Sequence, residues 1–163
     1  MNRLSEHPMS LIDVEFEELY QRHLCRHSQF GINVIHLISL WGIWYSFYGI
    51  VYGLIPSPWI MVVLGSSFLI LIASNLPILV LVATTLFVAG VCTFTYYVSL
   101  PWLWLYLIVF LLFHKIQVWS HKFYPIENDM TIFNRKYSPG ILRFFLVLLY
   151  EIPIVLRYLF LDK

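Results

Sequence analysis

From His27 to His114 the chain carries no Asp, Glu, Lys or Arg. One helix crosses the hydrocarbon layer of a bilayer with about 20 residues, so this uncharged stretch holds several crossings. Four fit: about 31 to 54, 59 to 75, 78 to 98 and 101 to 119. The breaks fall at Pro56-Ser57-Pro58, at Asn75-Leu76-Pro77 and at Ser99-Leu100-Pro101, where proline closes one helix and can open the next. Ahead of them, residues 11–29 read as an amphipathic helix opened by Ser10, with Asp13 three positions on. Its stripe Ile12, Phe16, Tyr20, His23, His27 passes from apolar to imidazole as the first crossing begins. Behind the fourth crossing a polar segment carries Lys122, Glu127, Asp129, Arg135 and Lys136. Residues 141–161 are apolar again but include Arg143, Glu151, Pro153 and Arg157, which suits either a fifth span or an interfacial helix.

The expected fold is therefore an all-α integral membrane protein. It comprises an N-terminal amphipathic cytoplasmic segment (1–30), a four-span membrane core (31–119), a polar cytoplasmic loop (120–140) and a C-terminal apolar helix (141–163). Composition agrees: of 163 residues 60% are hydrophobic and 12% charged, with a mean hydropathy of +0.78, against about 25% charged in soluble domains. A net charge of +1 supplies no basic field for nucleic acid. Cys25 and Cys92 make neither a disulfide framework nor a C-x-x-C site. The first thirty residues hold five acidic residues between Glu6 and Glu18 as well as three arginines, so no cleavable secretory signal is expected.

Basic residues set the orientation. Arg3, Arg22 and Arg26 precede the first span; Lys115, Lys122, Arg135 and Lys136 lie at or after the end of the fourth. Four crossings put both groups on one side, cytoplasmic by the positive-inside rule, in a bacterial inner membrane or the endoplasmic reticulum. The same arithmetic gathers His23, His27, His36, His114 and His121 at one face.

Neutral imidazole is a good ligand for iron, zinc or copper. His23 and His27 have the i, i+4 spacing of helical metal motifs. His27 and His36 are nine apart, on opposite sides of a continuous helix, with Gly31 between them as the candidate break. His114 and His121 lie about 10 Å apart along a straight helix, too far to share an ion unless the helix breaks near Trp119. The ordinary alternative is an interfacial anchor, which suits His7.

Two stretches, "YQRHLCRHSQFGINVIHLIS" and "QVWSHKFYP", resemble the signatures of small membrane proteins related to the fungal 2-hydroxy-fatty-acid dioxygenase. In that family a histidine and a second one nine residues later precede the first span, and another histidine follows the last core span. The resemblance marks His27, His36 and His121 as catalytic and metal-binding residues. His23 is a further candidate ligand, and His114, Gln117 and Glu151 are candidates for supporting the ligands or touching substrate. The sequence departs from the family pattern at Gln29, Phe30, Ser120 and Pro125. What the resemblance implies is a non-haem Fe(II) enzyme that uses O2 to convert a 2-hydroxy fatty acid to the acid one carbon shorter. Arg26, Lys115 and Lys122 are candidates to neutralise its carboxylate, the alternative for each being a lipid-facing or orientation-setting charge.

Three other readings stay open at this point. A di-iron desaturase or hydroxylase fits the H-x3-H of "HLCRH", but such enzymes need about eight histidines and this chain has six. A zinc hydrolase would use the same imidazoles with Zn(2+) to activate water. Glu127 or Asp129 can in principle complete a two-histidine, one-carboxylate site. A non-enzymatic carrier or assembly protein should place polar groups near the bilayer midplane, where Ser66, Ser67, Thr84, Thr85 and Thr93 are ordinary helix-packing residues.

Overall fold

The computed structural model describes residues 14–124 and 140–162. Every regular element among them is helical. They are α1 (Phe16–Arg26), α2 (Phe30–Leu54), α3 (Pro58–Ala73), α4 (Ile78–Tyr97), α5 (Leu103–Phe123) and α6 (Ile141–Leu156), which widens into a π-helical turn, Arg157–Leu161. Four segments are long and apolar enough to cross a membrane: Phe30–Leu54, Ile78–Tyr97, Leu103–Phe123 and Phe144–Leu161. These four helices point to a membrane protein.

Three expectations are refined. The second apolar segment, α3, has 16 residues and extends only about 24 Å, so it falls short of the length a perpendicular crossing needs. The C-terminal segment, left open between span and interfacial helix, has the length and hydropathy of a crossing. The amphipathic helix begins at Phe16 rather than near residue 11, with Glu15 at its N-cap; Ser10 and Asp13 lie outside the described residues. It buries Phe16 and Tyr20 of the stripe, together with Leu19 beside them; Ile12 also lies outside the described residues.

Helix α2 packs against α3, α4, α5 and α6. Its closest partner is α5, which runs antiparallel to it. A Cβ at Gly42 would collide with the Phe113 ring, one at Gly49 with Tyr106 and one at Gly53 with Leu103. The seven-residue step from Gly42 to Gly49 is matched by seven residues back from Phe113 to Tyr106. With the buried Ser46, these positions make a small-residue face that lets the α5 side chains reach the α2 backbone. The far end is pinned by hydrogen bonds: Tyr45 donates to the Val98 carbonyl at 2.7 Å, and the Leu100 N–H donates to the Tyr106 hydroxyl at 2.8 Å.

At the other end, α1 is held by the chain's C-terminus. The Arg157 guanidinium lies 4.0 Å from the Tyr20 ring centre and pairs with Glu17 at 2.6 Å, while the Tyr158 hydroxyl donates to the Ser28 carbonyl at 2.8 Å.

Gly42→Leu is expected to destabilise the fold by about 1–3 kcal/mol through overpacking, read as a lower thermal midpoint in detergent. Gly140→Ala, where an added Cβ meets nothing within 4 Å, serves as the neutral control. Equal midpoints for the two variants would contradict the α2–α5 seam.

Candidate metal centre

The seam brings the N-terminal end of α2 beside the C-terminal end of α5, and so sets three imidazoles together. His27 caps the end of α1 with a non-helical backbone (φ −129°, ψ 47°), His36 lies in the second turn of α2, and His121 lies in the last turn of α5. Their ring centres are 4.5 Å (His27–His36), 5.0 Å (His27–His121) and 5.3 Å (His36–His121) apart. One nitrogen from each lies within 4.8 Å of the others. Imidazole binds zinc at roughly 2.0–2.1 Å, which places the nitrogens of three ligands about 3.3 Å apart. Small ring rotations would close this group on one ion.

The chain break that aims His27 is not at Gly31, as the sequence suggests. It falls at residues 27–29, and Gly31 sits within the first turn of α2, where a Cβ would collide with the Tyr124 hydroxyl. Asn33 holds the break. It is fully buried, and its side-chain amide donates to the His27 carbonyl at 2.7 Å and the Gln29 carbonyl at 3.0 Å. Sequence reasoning missed Asn33. Its signal was an amide one turn before His36 on the same helix face.

His36 is oriented by Glu151. Its Nδ1 is 2.8 Å from Glu151 Oε1, and its Nε2 is 3.2 Å from Ser120 Oγ. A carboxylate only accepts, so the proton sits on Nδ1 and the Nε2 lone pair is left for an ion. This is the carboxylate–histidine arrangement that fixes a metal ligand's tautomer. Gln117 Nε2 donates to the same Glu151 oxygen at 2.7 Å, and the Ser120 hydroxyl donates to the Gln117 carbonyl at 2.6 Å. Ser120, where the family resemblance expects glycine, thus has a definite place in the network.

His27 is the contrast. It is 5% exposed, yet neither of its ring nitrogens has a hydrogen-bond partner among the described residues, and buried His121 Nδ1 has none either. Leaving a buried polar atom unpaired costs about 1–3 kcal/mol, and an ion between the rings would remove that cost for the nitrogens that face it. Burial, then the neighbouring His23, His36 and His121, hold His27 well below the usual histidine range. It is therefore neutral, as a ligand must be.

His23 stacks on His27 at 4.0 Å between ring centres, but its Nε2 lies 3.3 Å from Asn33 Oδ1, and it stands outside the group of three. His114 is exposed on the continuous helix α5, stacked on Phe110. No break occurs near Trp119, so His114 and His121 remain apart. Glu127, Asp129, Arg135, Lys136 and His7 lie outside the described residues. A cleft of about 560 Å³ opens from the cluster, with Arg22, Arg26, Gln117 and Glu151 at its polar end and His114 farther along its wall.

Two outcomes follow from this geometry. Glu151→Leu, which strips His36 Nδ1 of its acceptor, is expected to weaken Co(II) binding roughly 10- to 100-fold in a spectrophotometric titration. Glu151→Gln, whose amide oxygen still accepts, should weaken it less, and unchanged affinity in the leucine variant would remove Glu151 from the site. Burial lowers the His23 pKa from its ordinary 6.5 to about 4. An undocked α1 would therefore take up a proton near pH 6.5, and the packed one not until near pH 4. The packed state loses relative stability as pH falls through that window. Amide exchange in α1 should speed up there, and His23→Gln should flatten the dependence.

Comparison of the chain with protein-family profiles, with curated proteins and with solved structures finds no match.

Proposed function

We propose that this chain is a membrane-embedded, iron-dependent dioxygenase that acts on 2-hydroxy fatty acids and releases the acid one carbon shorter. The observation that carries the reading is the set of three converging imidazoles, with unpartnered buried nitrogens on His27 and His121, at the polar end of an otherwise apolar cleft. The likeness to the dioxygenase family rests on the two short motifs around these same histidines and names the reaction.

Three neutral ligands on one face leave coordination positions open for substrate and O2 and preserve the positive charge that attracts an anion. The iron, when bound, supplies O2 chemistry that no side chain can. The reaction balances without an added reductant: RCH(OH)COOH and O2 give RCOOH, CO2 and H2O. The protein's residues do the positioning. Glu151 holds His36, Asn33 holds the backbone at His27, and Arg26 puts positive charge beside the polar end, where the substrate carboxylate would lie; Arg22 there is paired with Glu18. His114 and Gln117 face the cleft along the substrate's path.

A cytoplasmic position for the cluster is supported by the basic residues around it. Arg22 and Arg26 flank the histidines on α1, and Lys115 and Lys122 lie on the C-terminal half of α5, which agrees with the positive-inside rule. Zn(2+) is the alternative occupant, because it accepts the same imidazoles.

Metal analysis of protein purified in detergent under anaerobic conditions should find about one iron per chain, as a single three-imidazole group implies. His27→Ala, His36→Ala and His121→Ala should each lose it while remaining membrane-inserted. The iron-loaded protein should consume O2 with a 2-hydroxy long-chain acid and yield the shortened acid. Unchanged metal in the alanine variants would overturn the site. Zinc alone would replace oxidation with hydrolysis, and two irons per chain would favour the desaturase class.

A further inference from the structure

Helices α5 and α6 both pack on α2, and while Gln117 and Glu151 join them at the histidines, their backbones otherwise stay apart. We infer that the gap between them is a lateral slot through which a single acyl chain enters from the bilayer, its small polar head coming to rest at the histidines. This inference rests on the reading of the histidines as a lipid-acting centre and specifies how the substrate arrives.

The slot's floor is α2, with Leu40 and Ile43 beyond His36. Its walls are Phe110 and Val118 from α5 and Phe144 and Val147 from α6. These wall residues are 36%, 53%, 63% and 42% exposed. On segments long and apolar enough to cross a membrane, such surface faces hydrocarbon, so the slot opens toward lipid chains and not toward water. Its length fits the same occupant. From His121 to Phe110 is eleven residues of continuous helix, about 16 Å, running from the end of α5 toward the middle of the membrane. A fatty acid lies in a bilayer in that orientation, with its head at the rim and its tail inward.

Polarity is also distributed as an amphiphile requires. The arginines, His27, His36, His121, Gln117 and Glu151 gather at one end, and among the lining residues His114 is the one polar side chain farther along. A volume of about 560 Å³ lies within the ~300–1,000 Å³ usual for small-molecule sites. Arg22, His23 and Arg26 of α1 line the cleft together with the histidines, and the crowding of side chains there favours a compact head such as a carboxylate over a phospholipid head group. The open side lets the tail slide in sideways without crossing water.

The test is photolabelling in lipid nanodiscs with a palmitic acid analogue that carries a diazirine at mid-chain, with adducts mapped by mass spectrometry and metal content measured on the same sample. Adducts should concentrate between residues 110 and 118 and between 144 and 148, and excess unlabelled palmitic acid should remove them. Val147→Trp, which fills the slot, should lose this competed labelling. Labelling spread evenly over lipid-facing positions such as Ile70 and Leu86, or labelling that palmitic acid does not compete, would overturn the slot. Competed labelling in protein that binds no metal would uphold the slot and refute the iron reading. Bound iron without competed labelling would do the reverse.

Discussion

The chemistry of this protein depends on how closely α5 lies against α2. His36 belongs to the start of α2 and His121 to the end of α5, and the antiparallel pairing of these helices is what sets the two beside each other. Within a bilayer the hydrophobic effect does not select such a pairing, because lipid tails are as apolar as leucine; close packing and interhelical hydrogen bonds do. Gly42, Ser46, Gly49 and Gly53 provide the approach, and Phe113, Tyr106 and Leu103 occupy it. Register follows from the same contacts. A slip of one residue would turn α5 by about 100° relative to its partner, carrying His121 off the cluster and Ser120 off His36.

The polar groups at this end divide into two sets. Asn33, Gln117, Ser120 and Glu151 have their hydrogen bonds, and these contacts tie α2, α5 and α6 together. In a membrane such satisfaction is obligatory, because no water stands by to replace a missing partner. Both nitrogens of His27 and Nδ1 of His121 lack partners among the described residues. A chain that meets its hydrogen-bond requirements so fully around His36 leaves open groups on the other two rings of the same cluster. An ion between the rings would take one nitrogen from each of His27, His36 and His121, with His36 oriented for it by Glu151.

Much of this was legible from residue types and spacing. The uncharged run and its proline breaks located the apolar helices to within a few residues, because hydrocarbon tolerates so few alternatives. Position at the ends of apolar runs gathered five histidines, and the motif resemblance marked His27, His36 and His121 among them. Glu151 stood out as an ionisable group in an apolar segment, although only the fold shows its partner to be His36, 115 residues away. Other features were hidden for physical reasons. The i, i+4 pair His23 and His27 looked like two ligands on one helix, but α1 ends between them and Asn33 takes His23. Gly31 looked like a hinge because glycine usually permits one, whereas here it makes room for Tyr124. The length of α3 was overestimated because Ser74 and Asn75 continue the uncharged run without continuing its helix.

The position of the cluster at a helix end is itself a physical requirement of this ligand set. On a continuous helix, residues nine apart point to opposite sides, so His27 and His36 converge only if the backbone between them leaves the helix. Such a break frees carbonyl groups that hydrocarbon cannot satisfy. It is stable here because it occurs before the first apolar helix has fully begun, and because Asn33 reaches back to the carbonyls of His27 and Gln29. Asn33 therefore makes the nine-residue spacing usable, since it pays for the irregular backbone with two hydrogen bonds. Once released from helical geometry, His27 meets the other two rings at 62° and 57°. Three side chains projecting from one straight helix could not surround a point in this way. The break at the rim thus supplies an angle that the regular helices of the core lack.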